Sequence, residues 1–253
     1  MITIAPRFAG PPRSANGGYT AGLLAATIRA GGEAPRLSTG DTTGVSVSLR
    51  QPPPLGIELD VELDDDDGPT TARLMHGAVL VAEASVVDVD ITPVDAVSMA
   101  EAAEAERSYA GLRSHPFPTC FTCGPDRDPG DGLRLFAGPV GDGRTACLWT
   151  PHPSLERDPG VVGEEYVWAA LDCPGAWTAD LEGRPLVLGR MTAQLDAPAT
   201  IGARHVVMGR LLGEDGRKTF TATTLYDSDG RIVARAEHLW IAIDPTTFGA
   251  LSA

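Results

Sequence analysis

The strongest constraint on this chain is that its second half repeats the order of its first. Gly17-Gly-Tyr-Thr-Ala-Gly-Leu-Leu-Ala-Ala-Thr-Ile28 reads as an apolar helix that should stop at Gly31-Gly32. A second helix is expected to start near Gly163 and to run through Val167-Trp-Ala-Ala-Leu-Asp172 toward Pro174. After each helix come a strand, a proline bend (Gln51-Pro-Pro-Pro54; Asp196-Ala-Pro198), another strand and a hairpin. The closing strands carry Val81-Ala-Glu-Ala84 and Val233-Ala-Arg-Ala236, and the offset stays at about 145 to 152 residues. One copy of such a unit would leave a long sheet edge open. Two copies paired side by side cover it.

The strands are antiparallel in pattern. Val45-Ser-Val-Ser-Leu49, Ile57-Glu-Leu-Asp-Val-Glu-Leu63 and Met191-Thr-Ala-Gln-Leu195 alternate with period two, which marks strands with one face on a core. Thr71 to Ile91 should turn at His76-Gly77, and Lys218 to Ile243 at Asp227-Ser-Asp-Gly230. An Ala- and Glu-rich helix over Met99 to Tyr109 joins the halves before Pro116 and Pro118 break the chain. The expectation is an α+β protein: a unit over 1–92, a linker with a short helix over 93–119, and a second unit over 120–253. Each unit is a helix wrapped by a curved antiparallel sheet.

Charge narrows the partners. Twenty basic against 34 acidic residues give a net charge of −14, which disfavours nucleic acid because phosphate binding needs a basic face. A few arginines could still hold a small phosphorylated ligand. Part of the acidity is one tip, Asp64-Asp-Asp-Asp67-Gly68, read as a solvated hairpin turn. No apolar run approaches the roughly 20 residues of a membrane span, and Met1 to Arg13 lacks the pattern of a secretory signal. Cys120-Phe-Thr-Cys123 is a lone C-x-x-C with no second pair of zinc-site spacing, though His115 is near in sequence. With Cys147 and Cys173 these are read as reduced thiols of a cytoplasmic protein, with no metal expected.

The doubled unit, with Gly-Gly opening its first helix, resembles the hotdog fold. Cys120-Phe-Thr-Cys-Gly-Pro-Asp-Arg-Asp-Pro-Gly-Asp-Gly-Leu-Arg-Leu135 is similar to the C-F-x-C-G-P-x-N-P-x-G-L opening strand of hotdog proteins in the acyl-CoA thioesterase superfamily. Those enzymes carry a helix signature of the form H-G-G-x-x-x-x-L-x-D/E. Asn16-Gly17-Gly18 matches its front, with Asn for His, but the acid position holds Ala25. In the second half Gly163-Glu164-Glu165 replaces the front and Asp172 falls at the acid position. The resemblance therefore implies a double hotdog with one composite site, in which the Gly17 and Gly18 amides hold a thioester carbonyl and Asp172 attacks or activates water. It implies an acyl-CoA or related thioester as substrate, no resident cofactor, and self-association through sheet or helix faces. The family's hydroxyl residue falls on Leu188, with Thr192, counted on the same face of the strand, as the nearest substitute, and its Gln on or near His238.

Each of these residues has a plainer reading. Asp172 could be a solvated acid of a last turn that Pro174 ends, or a general base with a raised pKa. Gly17 and Gly18 could serve a tight turn or an oxyanion, and Asn16 is a good N-cap. His238 could be a core histidine. Trp149, Trp168, Trp177 and Trp240 could pack or line an acyl tunnel. Arg134, Arg190 and Arg204 could be exposed or could meet the CoA phosphates. Two functions follow: an acyl-CoA thioesterase-like hydrolase, or a non-catalytic double hotdog that binds an acyl or aromatic ligand or acts as a scaffold.

Overall fold

The computed structural model describes residues 1–31, 42–64 and 70–244. Gly32 and the acidic tip Asp65 to Gly68 lie outside the described residues. In chain order the elements are β1 (Ile2–Thr3), α1 (Gly17–Gly31), β2 (Thr43–Leu49), β3 (Glu58–Asp64), β4 (Thr71–His76), β5 (Val79–Asp88) and α2 (Met99–Glu106). There follow β6 (Gly138–Gly141), β7 (Arg144–Trp149), β8 (Glu156–Asp158), β9 (Val161–Val162), α3 (Glu164–Ala176), β10 (Leu186–Leu195), β11 (His205–Asp215), β12 (Lys218–Tyr226) and β13 (Ile232–Ala242).

Eleven strands form one sheet in the order β1-β3-β4-β5-β2-β10-β13-β12-β11-β7-β6. Its seam is β2 against β10, antiparallel, with Val45 opposite Ala193 and Val47 opposite Met191. Outward from the seam, β2-β5-β4-β3 on one side has the same sequence order as β10-β13-β12-β11 on the other. Both expected hairpins form at the expected turns. The seam joins what would otherwise be two open edges, which is the physical reason to place two such sheets side by side.

α1 packs on β2, β4 and β5, α3 packs on β11, β12 and β13, and the two helices pack on each other. Their apolar faces and the inner face of the sheet make one continuous core that includes Leu24, Ile28, Trp168, Leu171, Met191 and Ala236. On the opposite face α2 covers β6 and β7, where Ala102 and Ala105 meet Ala146, Val206 and Met208. A Ser98–Glu101 capping box starts α2, whose helix ends at Glu106, short of the expected Tyr109, and gives way to a 3-10 turn over Ala110–Leu112.

Three local expectations are corrected. Residues 120–135 contain no strand; they turn repeatedly, and their backbone is tied to other loops, as by Phe121 N to Ala9 O at 2.7 Å. α3 does not end before Pro174 but continues to Ala176, with Trp177 N donating to Cys173 O at 3.1 Å. Threonines outside the helix donate to its carbonyls there: Thr122 to Ala169 O, Thr223 to Leu171 O and Thr145 to Pro174 O, at 2.9, 2.9 and 2.7 Å. The third correction concerns β10. Its ladder with β13 skips at Gly189, between Leu188 and Arg190, which reverses the inward parity. Leu188 and Met191 therefore both face the core, while Thr192 does not share the face of Leu188.

Candidate active site

The site follows from how closely α1 and α3 approach. A Cβ on Gly18 would stand 2.6 Å from Asp172 Cβ and 2.7 Å from Trp168 O. On Gly22 it would stand 2.6 Å from Glu165 Cα and 2.8 Å from Trp168 Cβ. The two glycines, one turn apart, are what lets the helix axes cross so near. The pairing of Gly18 with Asp172 and of Gly22 with Glu165 makes the helices antiparallel, so the start of α1 meets the last turns of α3.

At that junction Asp172, only 2% exposed, is held by α1. The Gly18 N–H donates to Asp172 Oδ2 at 3.0 Å, and Asn16 Nδ2 donates to the same oxygen at 2.9 Å. Asn16 Oδ1 meanwhile accepts the Tyr19 N–H at 2.8 Å, so one side chain caps α1 and grips the carboxylate. The positive end of the α1 dipole favours an anion at this place. Burial works the other way and wins. Desolvation, followed by the neighbouring Cys120, raises the Asp172 carboxyl from 3.8 to about 7, with the Gly18 amide and Asn16 opposing. The second oxygen, Oδ1, is buried with no hydrogen-bond partner among the described residues. A carboxyl in this state has a proton affinity matched to neutral water and one oxygen not committed to a donor.

Asp172 sits on the wall of a cavity of about 220 Å³. Other walls come from the 10–17 loop and start of α1, the Leu49–Pro53 bend, the 115–123 loop, and the inner ends of β10 and β13. Leu49, Phe117, Trp177, Leu186, Leu188 and Trp240 make most of it apolar. Ser14, Asn16, Arg50, Gln51, Asp172, His115 and three cysteines supply the polar and soft groups. An apolar pocket with a few convergent polar atoms suits a small acyl or aromatic group with one reactive end.

The structure brings together Asp172, Asn16, Gly17 and Gly18 from the expected set. Gly17 lines the cavity. The Gly18 amide is already engaged by Asp172, so it is not open to a carbonyl oxygen in this arrangement. Thr192 is only half-buried and donates to Ser46 Oγ at 2.9 Å across the seam, outside the cavity, because of the skip at Gly189. His238 is buried but also outside the cavity; its Nδ1 is 3.3 Å from Thr221 Oγ1, its Nε2 has no partner, and burial lowers its pKa to about 4. Trp168 is fully buried at the helix crossing. Arg190 is exposed on the seam strand. Arg134 has a left-handed backbone with φ of 55°, donates to the carbonyls of Pro125 and Arg127, and stacks on Phe136, away from this cavity. Of the four tryptophans weighed as packing or tunnel residues, Trp177 and Trp240 line the cavity and Trp149 and Trp168 do not; sequence reasoning missed Phe117 beside them, and it missed that Cys173 joins Cys120 and Cys123. The adjacency of Cys173 to Asp172 was the signal for the latter.

No family model matches this chain, and no curated protein matches it. Solved structures do. The tesB protein of Mycobacterium avium subsp. paratuberculosis is similar over 96% of this chain and 91% of its own, with 14% identity and a TM-score of 0.65. A candidate thioesterase II from Thermobifida fusca is similar over 96% and 91%, with 15% identity and a TM-score of 0.58. A conserved hot dog fold protein from Alicyclobacillus acidocaldarius is similar over 94% and 90%, with 14% identity and a TM-score of 0.54. At such identities the likeness is one of architecture. Taken with the large antiparallel sheet and its few helices, it establishes that the chain has an α+β hotdog fold.

Proposed function

We propose that this protein is an acyl-CoA thioesterase-like hydrolase built as two hotdog units in tandem, 1–92 and 120–253, joined by the linker 93–119. The observation that carries the reading is the composite junction: an amide and a cap residue from the first half hold Asp172 of the second on the wall of an apolar cavity. The thioesterase names among proteins of like fold support the reaction class.

In this reading the acyl group lies against Leu188, Trp240 and Trp177. Asp172, as carboxylate, takes a proton from a water molecule, and the resulting hydroxide adds to the thioester carbonyl. The Gly17 amide, at the positive end of α1, is the donor for the developing oxyanion, since the Gly18 amide holds the base. When the tetrahedral intermediate collapses, the carbon–sulfur bond breaks and Asp172 returns its proton to the departing thiolate. Asn16 and Gly18 keep the base in place throughout. Arg50, at the cavity and paired to Glu83, is a candidate for the CoA phosphates.

The test is hydrolysis of a panel of short, medium and aromatic acyl-CoA thioesters by wild type and Asp172→Ala. Loss of about 100-fold or more in kcat, the range of a general base, is the expected result. Equal rates would remove Asp172 from the chemistry. Tight binding of the same thioesters with no turnover would favour the non-catalytic binding reading instead.

A further inference from the structure

We infer that Cys120, Cys123 and Cys173 form a three-thiolate site for a soft divalent cation of the zinc class, independent of whether the protein hydrolyses thioesters. The three Sγ atoms all lie within 4.8 Å of one another, and Cys120 Sγ is 3.7 Å from Cys173 Sγ. In a tetrahedral zinc site with bonds of about 2.3 Å, two sulfurs stand about 3.8 Å apart. All four cysteines are free, and these three are buried. A disulfide between any two would leave the third thiol without a partner of its kind, whereas one cation can satisfy all three.

The loop is shaped for this. Gly124 N donates to Cys120 O at 2.9 Å and Asp126 N to Pro118 O at 3.0 Å, a tight knuckle that turns Cys120 and Cys123 toward α3. A Cβ on Gly124 would stand 2.5 Å from Pro118 O and 2.6 Å from Cys120 N, so the knuckle needs glycine. Donors point at two of the sulfurs, as outer-shell groups do at thiolate sites. Asn16 Nδ2 is 3.7 Å from Cys120 Sγ, and His115 Nε2 is 3.4 Å from Cys123 Sγ. The Phe117 N–H donates to His115 Nδ1 at 2.9 Å, which puts the imidazole proton on Nε2. His115 is therefore a donor to the Cys123 sulfur and not a fourth ligand. Thiolate softness selects zinc over magnesium or calcium, and binding sends the thiol protons to solvent. All three cysteines line the cavity of Asp172, so the fourth coordination position is left to a cavity molecule.

The full chain, expressed with zinc and purified under reducing conditions, is expected to hold one zinc per molecule by elemental analysis. Cobalt exchanged into it should give a sulfur-to-cobalt charge-transfer band. Cys173→Ser should lose the metal, Cys147→Ser should keep it, and His115→Ala should keep it. Should Cys173→Ser fail to fold, proton release on titrating the metal-free wild type with cobalt reports the same ligation. A reduced wild-type protein that binds neither zinc nor cobalt, or a native disulfide linking two of the three by mass spectrometry, would overturn the site. Loss of metal in His115→Ala would overturn its three-thiolate form.

Discussion

The antiparallel helices meet end to end at two junctions, and the sequence has treated them in opposite ways. At one, Gly18 faces Asp172; at the other, seven residues along each helix, the matching places hold Ala25 and Glu165. Glu165 is also buried, but Arg157 Nε donates to it at 2.7 Å, and Arg29 pairs with the adjacent Glu164 at 3.2 Å. Among the described residues Asp172 pairs with no arginine or lysine, and it has one unpartnered oxygen and an apolar cavity beside it. One acid is neutralised as structure demands; the other is kept in a state that costs stability. Such a state is common where a group must react.

The largest effect expected from this contrast is in neutralising each acid. A carboxyl whose folded pKa is about 7 against an ordinary 3.8 adds stability only while it is protonated. That contribution is complete below about 4 and is lost as pH rises through about 7. Asp172→Asn should remove this dependence and, above pH 7, raise the unfolding free energy by about 2 kcal/mol, the relief of the buried charge less the cost of an amide NH2 placed where Oδ1 has no partner, while abolishing hydrolysis. Glu165→Gln should do the reverse, lowering stability by about 1 kcal/mol, since Arg157 is largely exposed and its partner's loss is screened, and leaving turnover unchanged. Urea unfolding of both variants from pH 4 to 8 decides it. An Asp172→Asn protein no more stable than wild type at pH 8 breaks the contrast.

The repeated order of elements and the hairpins were legible because they rest on short-range pattern, period-two alternation and turn residues; the pairing of Asn16-Gly17-Gly18 with Asp172 was implied only by the resemblance to the hotdog thioesterases. What was not legible depended on geometry at one residue. Gly189 shifts the parity of β10, so a count along the strand put Thr192 on the face of Leu188 when it faces away. Gly18 read as a turn or oxyanion glycine, yet its missing Cβ is first needed for the helix crossing. Pro174 read as a stop, but threonines of other segments donate to carbonyls of the turn around it and the helix continues. The family's Gln position falls on or near His238, a departure from the pattern, and His238 lies buried and outside the cavity.

The crossing gives the next largest effect. Gly18→Ala and Gly22→Ala each insert a methyl where backbone stands closer than 3 Å, and each should cost about 2 kcal/mol. Only Gly18→Ala pushes directly on Asp172. It should lose turnover well beyond Gly22→Ala at equal stability, measured by denaturant unfolding beside kcat. Equal activity in the two variants would mean that the Gly18 amide does not position the base.

The smallest effect separates two roles of one residue. Asn16 caps α1 through Oδ1 and holds Asp172 through Nδ2. Serine caps a helix nearly as well as asparagine, while alanine loses about 1 kcal/mol; neither carries an amide to reach Asp172. Asn16→Ser should therefore recover the capping share, about 1 kcal/mol, of the stability lost in Asn16→Ala, yet share the reduced kcat of Asn16→Ala. If Asn16 is a cap alone, the serine variant recovers turnover together with stability. If it also positions the carboxylate, stability returns and turnover does not, because the donor to Oδ2 is missing in both. The second junction supplies the control. There Gly163 caps α3 with no side-chain hydrogen bond, and a change at that end should alter stability without altering the rate.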